Sequence, residues 1–160
     1  LVKVMEPIET SSIMVAQTNL TMKRGDTAKL SYTILPDDHT DTIKMASDNT
    51  RVATVTNSGK VKAVGTGTAT ITIMAESGVT ATVTVNVVAL NKTSIRMRQY
   101  DTETLVVHGT SDPITWYSAN TSIATVVNGR VVGRSVGTTY VYAYVNGCRM
   151  SCRIEVVSIN

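Results

Sequence analysis

Between positions 67 and 85 apolar and polar residues alternate with a period of two. Ala69, Ile71, Ile73 and Ala75 are interleaved with Thr70, Thr72 and Met74; after Ser77-Gly78 the run resumes as Val79, Ala81, Val83 and Val85 against Thr80, Thr82 and Thr84. Successive side chains of a strand point to opposite faces, so this pattern predicts a hairpin with one buried face and one threonine-covered face. The pattern returns near the end of the chain. There Val141, Ala143 and Val145 take the inward parity and Asn146-Gly147, a strong two-residue hairpin signal, makes the turn. Tyr140, Tyr142 and Tyr144 must then point outward from one strand. Direct pairing across the turn sets Arg149 opposite Tyr144, Ser151 opposite Tyr142 and Arg153 opposite Tyr140. Tyr117, next to an inward Trp116, extends the stripe if its strand neighbours this hairpin.

The two hairpins belong to a larger internal repeat. Ser47-Asp48-Asn49-Thr50-Arg51-Val52-Ala53-Thr54-Val55 returns as Ser118-Ala119-Asn120-Thr121-Ser122-Ile123-Ala124-Thr125-Val126, a shift of 71. Gly59-Lys60-Val61 returns as Gly129-Arg130-Val131 at a shift of 70, and Asp26-Thr27-Ala28-Lys29-Leu30 matches Asp101-Thr102-Glu103-Thr104-Leu105 at 75. Units of this length with several short strands have the size of a sandwich domain and are too long for one solenoid repeat.

Composition supports an all-β chain. Thr occurs 26 times and Val 23 times in 160 residues, and such β-branched side chains suit pleated strands. Phe is absent and the aromatic residues are one Trp and six Tyr, so the core must be thin and aliphatic, which argues against a large enzyme core. With 42% hydrophobic and 17% charged residues the chain is too apolar to be disordered. No run of 18 or more uncharged apolar residues occurs, so no membrane insertion of this segment is expected.

The order of Gly25-Asp26-Thr27, Trp116-Tyr117-Ser118-Ala119-Asn120, Ala53-Thr54-Val55, Gly59-Lys60-Val61 and Gly67-Thr68-Ala69-Thr70-Ile71 resembles the bacterial immunoglobulin-like domain, group 2. The resemblance covers residues 11 to 158 and implies two tandem immunoglobulin-like β-sandwich domains, over 11–88 and 89–160. Two departures stand out: Met45 takes the place of Trp116, and Tyr100 the place of Gly25. Residues 1–10 read as an N-terminal strand and linker, Leu1 to Pro7 being similar to the end of a preceding domain. Ala89-Leu90-Asn91-Lys92 reads as a short linker without Gly or Pro, which predicts end-to-end stacking with limited swing. The whole looks like a piece of a longer array without a signal peptide at Leu1.

Little in the chain points to chemistry. Only His39 and His108 offer a base, at non-equivalent positions, and no phosphate-binding, zinc-protease or nucleophile-elbow motif occurs. Asp37, Asp38 and Asp41 share one loop, but they lack the ligand register of a calcium loop and read as a solvated turn. Cys148 and Cys152 share a face about 13 Å apart, too far for a mutual disulfide, and align with Val79 and Val83 as two buried thiols. No catalytic residue, cofactor or metal is expected.

The distribution of charge and aromaticity is more informative. Residues 1 to 88 hold eight Lys/Arg and eight Asp/Glu; residues 89 to 160 hold seven and four, with six of the seven being Arg. Six of the seven aromatic residues also fall in the second part. Tyr117, Tyr140, Tyr142, Tyr144, Arg149 and Arg153 are therefore the candidate contact face, since Tyr and Arg dominate binding hot spots. Cross-strand Tyr–Arg pairs also stabilise a sheet by themselves, or pack against neighbouring domains. The Lys/Arg density is too low for nucleic acid. The resemblance implies surface proteins, including intimin- and invasin-type adhesins, and phage virion proteins. The expected role is a non-enzymatic, extracellular stalk that meets host protein or glycan. The alternative is a carbohydrate-binding or spacer module of a polysaccharide-degrading enzyme.

Overall fold

The computed structural model describes residues 6–160, all of whose regular structure is strand. The N-terminal strand expected over 1–7 falls largely on residues 1–5, outside the described residues. The chain divides into two compact units, one ending at Val87 and the other beginning at Val88.

In the first unit the strands are β1 (Ser12–Val15), β2 (Asn19–Lys23), β3 (Thr27–Lys29), β4 (Tyr32–Leu35), β5 (Ile43–Ser47), β6 (Ala53–Val55), β7 (Lys60–Ala63), β8 (Gly67–Ala75) and β9 (Thr80–Leu90). One sheet runs β2-β9-β8-β5, a second runs β3-β7-β6, and β1 pairs with β4. The predicted hairpin is β8–β9, with Ile71 opposite Val83 and Thr72 opposite Thr82. Its inward residues Ile71, Ile73, Val83 and Val85 join Ala53, Val61 and Ala63 of the other sheet in one core. That is an immunoglobulin-like sandwich.

The second unit repeats it with β10 (Ser94–Arg98), β11 (Thr102–Thr104), β12 (Val107–His108), β13 (Thr115–Ser118), β14 (Ala124–Val127), β15 (Arg130–Gly133), β16 (Gly137–Val145) and β17 (Cys148–Val157). The sheets run β10-β17-β16-β13 and β11-β15-β14. Ala89 and Leu90 are not linker, contrary to the expectation from composition. They end β9, where Leu90 pairs with Val107 and Ala89 with His108, and Leu90 and Val88 enter the second core. Residues 88–90 do for this unit what β1 does for the first, where Val15 pairs with Tyr32. An uninterrupted apolar strand end has no turn residue to mark the border, so the sequence pattern alone sets it slightly late.

Turn chemistry explains the best-preserved part of the repeat. In each copy the Asn side chain accepts the amide two residues on, Arg51 N to Asn49 Oδ1 at 3.2 Å and Ser122 N to Asn120 Oδ1 at 3.0 Å. The preceding serine closes it from the other side: Ser47 Oγ accepts from Asn49 N, and Ser118 Oγ from Asn120 N. Ser-x-Asn recurs because it satisfies these turn amides without a helix or ladder. The Gly25/Tyr100 departure preserves the turn as well. Gly25 N bonds Ala63 O, Tyr100 N bonds Gly133 O, both at 2.9 Å, and both residues are left-handed, with φ of 94° and 72°.

Candidate functional site

The candidate face lies on the outer side of the β10-β17-β16-β13 sheet. Inward Val141, Ala143 and Val145 fix the parity of β16, so Tyr140, Tyr142 and Tyr144 stand on the outer side. The register is the one the hairpin turn dictates: Tyr140 faces Arg153, Tyr142 faces Ser151 and Tyr144 faces Arg149. Strand β13 neighbours β16 and places Tyr117 opposite Tyr142. The four tyrosines thus share one surface.

Their packing goes beyond direct pairing. Tyr117 leans between two neighbours, its ring centroid 4.9 Å from Tyr142 and 5.5 Å from Tyr144, and its hydroxyl shares a 3.1 Å hydrogen bond with that of Tyr144. Arg149 reaches diagonally, placing its guanidinium carbon 4.9 Å from the Tyr142 centroid. Tyr140 and Tyr142 stack along β16 at 6.3 Å. Tyr117 and Tyr140 remain exposed, at 39% and 43%, while Tyr142 and Tyr144 are half-buried by their neighbours. The Tyr117 hydrogen bond, aided by Arg149, holds the Tyr144 phenol below its usual range, and the same hydrogen bond raises that of Tyr117.

Two further charged residues complete the surface. Arg153 leans along its own strand to Glu155 at 3.8 Å, and Arg96 reaches the same carboxylate at 4.0 Å from β10, which runs parallel to β17 with Arg96 opposite Glu155. Sequence reading missed both Glu155 and Arg96. Glu155 shares the parity of Arg149 and Arg153 and was available to the same argument; Arg96 was not, because a parallel pairing across 59 residues leaves no turn signal. The matching surface of the first unit carries threonine pairs, Thr70 opposite Thr84 and Thr72 opposite Thr82.

The profile of the bacterial Ig-like domain (group 2) family matches residues 9–87. The first unit belongs to that family. The second repeats its motifs and topology, so the chain is a tandem pair of immunoglobulin-like sandwiches. Among solved structures the chain is similar to surface layer protein SbsC, domains 4-9, at 19% identity over 95% of this chain and 31% of that one, TM-score 0.42. It is similar to the C-terminal 282-residue fragment of intimin, solved with the intimin-binding domain of the translocated intimin receptor, at 16% identity over 89% of this chain and 62% of that one, TM-score 0.47. The chain spans less than a third of the SbsC fragment and less than two thirds of the intimin fragment. No curated protein matches it.

Among the remaining polar candidates Asp41 has a structural role. Asp41 Oδ2 accepts the Thr10 amide at 2.8 Å, and this bond, followed by the Ser77 hydroxyl, holds its carboxyl below the usual range. Asp37 and Asp38 are exposed, and among the described residues no three His, Cys, Asp or Glu side chains converge as metal ligands. His39 lies in the loop after β4, while His108 is exposed on β12. Neither cysteine is part of a disulfide.

The expectation of two buried thiols holds for one. Cys152 is fully buried opposite Val141, and burial pushes its thiol up to about 11. Cys148, beside the turn, is only half-buried, as is Val79 at the equivalent position, although Val145 opposite it is buried in the core. At pH 8 an aromatic disulfide reagent is expected to label Cys148 readily and Cys152 only on unfolding, since the thiolate is the nucleophile. Peptide mapping after labelling checks this; equal rates in the folded protein would contradict it.

Proposed function

We propose that this chain is a non-enzymatic, extracellular segment of a bacterial cell-surface protein, acting in cell adhesion as a stalk whose second domain also binds. Its neighbours are further Ig-like domains of a longer chain. Membership of the first unit in the group 2 family and the tandem repeat support the stalk. The Tyr–Arg surface on the second domain, against threonine on the first, supports the binding role.

The packing of the rings favours a protein partner over a glycan. A sugar stacks on an open aromatic face, whereas here Tyr142 has Tyr117 and Arg149 each at 4.9 Å, and Tyr117 is flanked by Tyr142 and Tyr144. Apart from Tyr140, stacked on Tyr142 alone, ring edges, hydroxyls and guanidinium groups are what remain. Arg149 shares the surface with Arg153 and Arg96, both of which lean on the one carboxylate of Glu155, so an acidic host-protein surface is the complementary partner. The carbohydrate-module and virion readings gain no support from this arrangement.

Replacing Tyr140 and Tyr142 by Thr and Tyr144 by Met installs the first domain's residues, Thr70, Thr72 and Met74, at the corresponding β16 positions. The variant is expected to keep its β-sheet spectrum and to lose adherence to host cells by about tenfold or more. Adherence of beads carrying the chain is the measurement. Full retention by a folded variant would leave only a spacer, and glycan-array binding abolished by the same changes would favour the carbohydrate module.

A further inference from the structure

The same surface contains a pair of phenols arranged for a covalent reaction. Tyr117 and Tyr144 come from different strands and are diagonal in register, since Tyr117 lies opposite Tyr142 and Thr115 opposite Tyr144. Their hydroxyl oxygens are nevertheless 3.1 Å apart, and their rings lie 5.5 Å apart and within 16° of parallel. The other ring pairs of the surface are less suited. Tyr117 with Tyr142 is closer by centroid but tilted by 32°, and Tyr140 with Tyr142 share one strand.

We propose that Tyr117 and Tyr144 form an oxidative cross-linking site, yielding an intrachain dityrosine with a one-electron oxidant of the peroxidase and hydrogen peroxide class. Each phenol gives up one electron and one proton. The two phenoxyl radicals couple through the ring carbons ortho to the hydroxyls, forming one carbon–carbon bond. The hydrogens on those carbons then move to the oxygens, restoring two phenols. The two electrons and two protons released reduce one peroxide to two waters, so the chain becomes lighter by two hydrogen atoms.

Three features of the site suit the reaction. Phenoxyl radicals are short-lived, so coupling requires partners already in place, and two phenols held in contact act at a very high effective concentration. Tyr117 is 39% exposed, which gives a soluble oxidant access. The lowered pKa of Tyr144, set by the Tyr117 hydrogen bond and then by Arg149, raises its phenolate fraction, the form that yields an electron most readily. The product would tie the edge strand β13 to the central hairpin. It does not depend on whether the surface binds a partner.

The test is treatment of the full chain, dilute, with peroxidase and limiting hydrogen peroxide, followed by peptide mapping and dityrosine fluorescence. The expected product is a monomer lacking two hydrogen atoms, with the peptides containing Tyr117 and Tyr144 joined. Its second domain should melt about 5 °C or more higher, as for other cross-links that close a loop. Tyr117→Phe and Tyr144→Phe should each abolish the product, whereas Tyr142→Phe should leave it. Volume-conserving Phe keeps the fold in each case. The proposal is overturned if oxidation gives only dimers through Tyr100, stops at sulfur oxidation, or joins a different pair.

Discussion

Gly129→Ala is expected to destabilise the second domain by about 3 to 4 kcal/mol, whereas Gly147→Ala in the same domain costs about 1. Both glycines are left-handed, with φ of 84° and 79°, so the conformational penalty of a side chain is shared. The difference is space. At Gly147 an added Cβ meets nothing within 4 Å; at Gly129 it falls 2.3 Å from the carbonyl oxygen of Leu105 and 3.2 Å from Cζ2 of Trp116. The carbonyl cannot rotate away as a side chain would, because Leu105 is 2% exposed and its amide donates to Gly129 O at 2.7 Å. The backbone of β11 or of the turn before β15 must therefore move, and the Trp116 ring with it. In the first domain Gly59 has the same φ class, but its nearest neighbour is a Tyr32 ring carbon at 3.2 Å and the carbonyl of Leu30 is at 3.8 Å. Gly59→Ala is accordingly expected to cost about 1 to 2 kcal/mol, since the ring can yield. Trp116 is the only tryptophan, so urea unfolding followed by its fluorescence reports on the second domain alone. A midpoint for Gly129→Ala equal to that for Gly147→Ala would show that the close approach is not felt.

What the sequence revealed was set by local rules, and what it hid was set by distant ones. Alternation along β8, β9, β16 and β17, with a two-residue turn in the second hairpin, fixes register, so the Tyr–Arg pairs across Asn146-Gly147 follow from the order of residues alone. The outward parity of the tyrosines follows from the same period. The diagonal choice of Arg149 for Tyr142, and the same-strand choice of Arg153 for Glu155, do not, because parity names a face but leaves long side chains several partners on it. Nor does alternation reveal that β10 lies beside β17, which brings Arg96 to the surface. The half-exposure of Cys148 escapes for a related reason: inward parity is necessary for burial but not sufficient at the end of a strand.

The exchange of Met45 for Trp116 takes its meaning from register. Met45 is opposite Ile73, and Trp116 is opposite Ala143, at equivalent positions of the two domains. One domain fills the site with two medium side chains, the other with one large and one small, and each pair belongs to its domain's core. Directly opposed inward residues compete for the same volume. Ala143→Ile alone should therefore overpack the second core and cost about 1 to 3 kcal/mol. Trp116→Met alone should leave a void and cost about 2 to 4 kcal/mol. Combined, the two changes reproduce the first domain's pair, and the double variant should lie within about 1 kcal/mol of the parent, a coupling of about 2 kcal/mol or more. The reverse exchange, Met45→Trp with Ile73→Ala, should behave alike in the first domain and give it a fluorescent reporter. Calorimetry measures all the variants, since Trp116→Met removes the second domain's own signal. Additive losses in the double variant would mean that the two side chains do not share a volume, and that the first core is held by other residues. Compensation instead explains how one sandwich tolerates loss of its central tryptophan: the family position is half of a pair, and the pair is what the core requires.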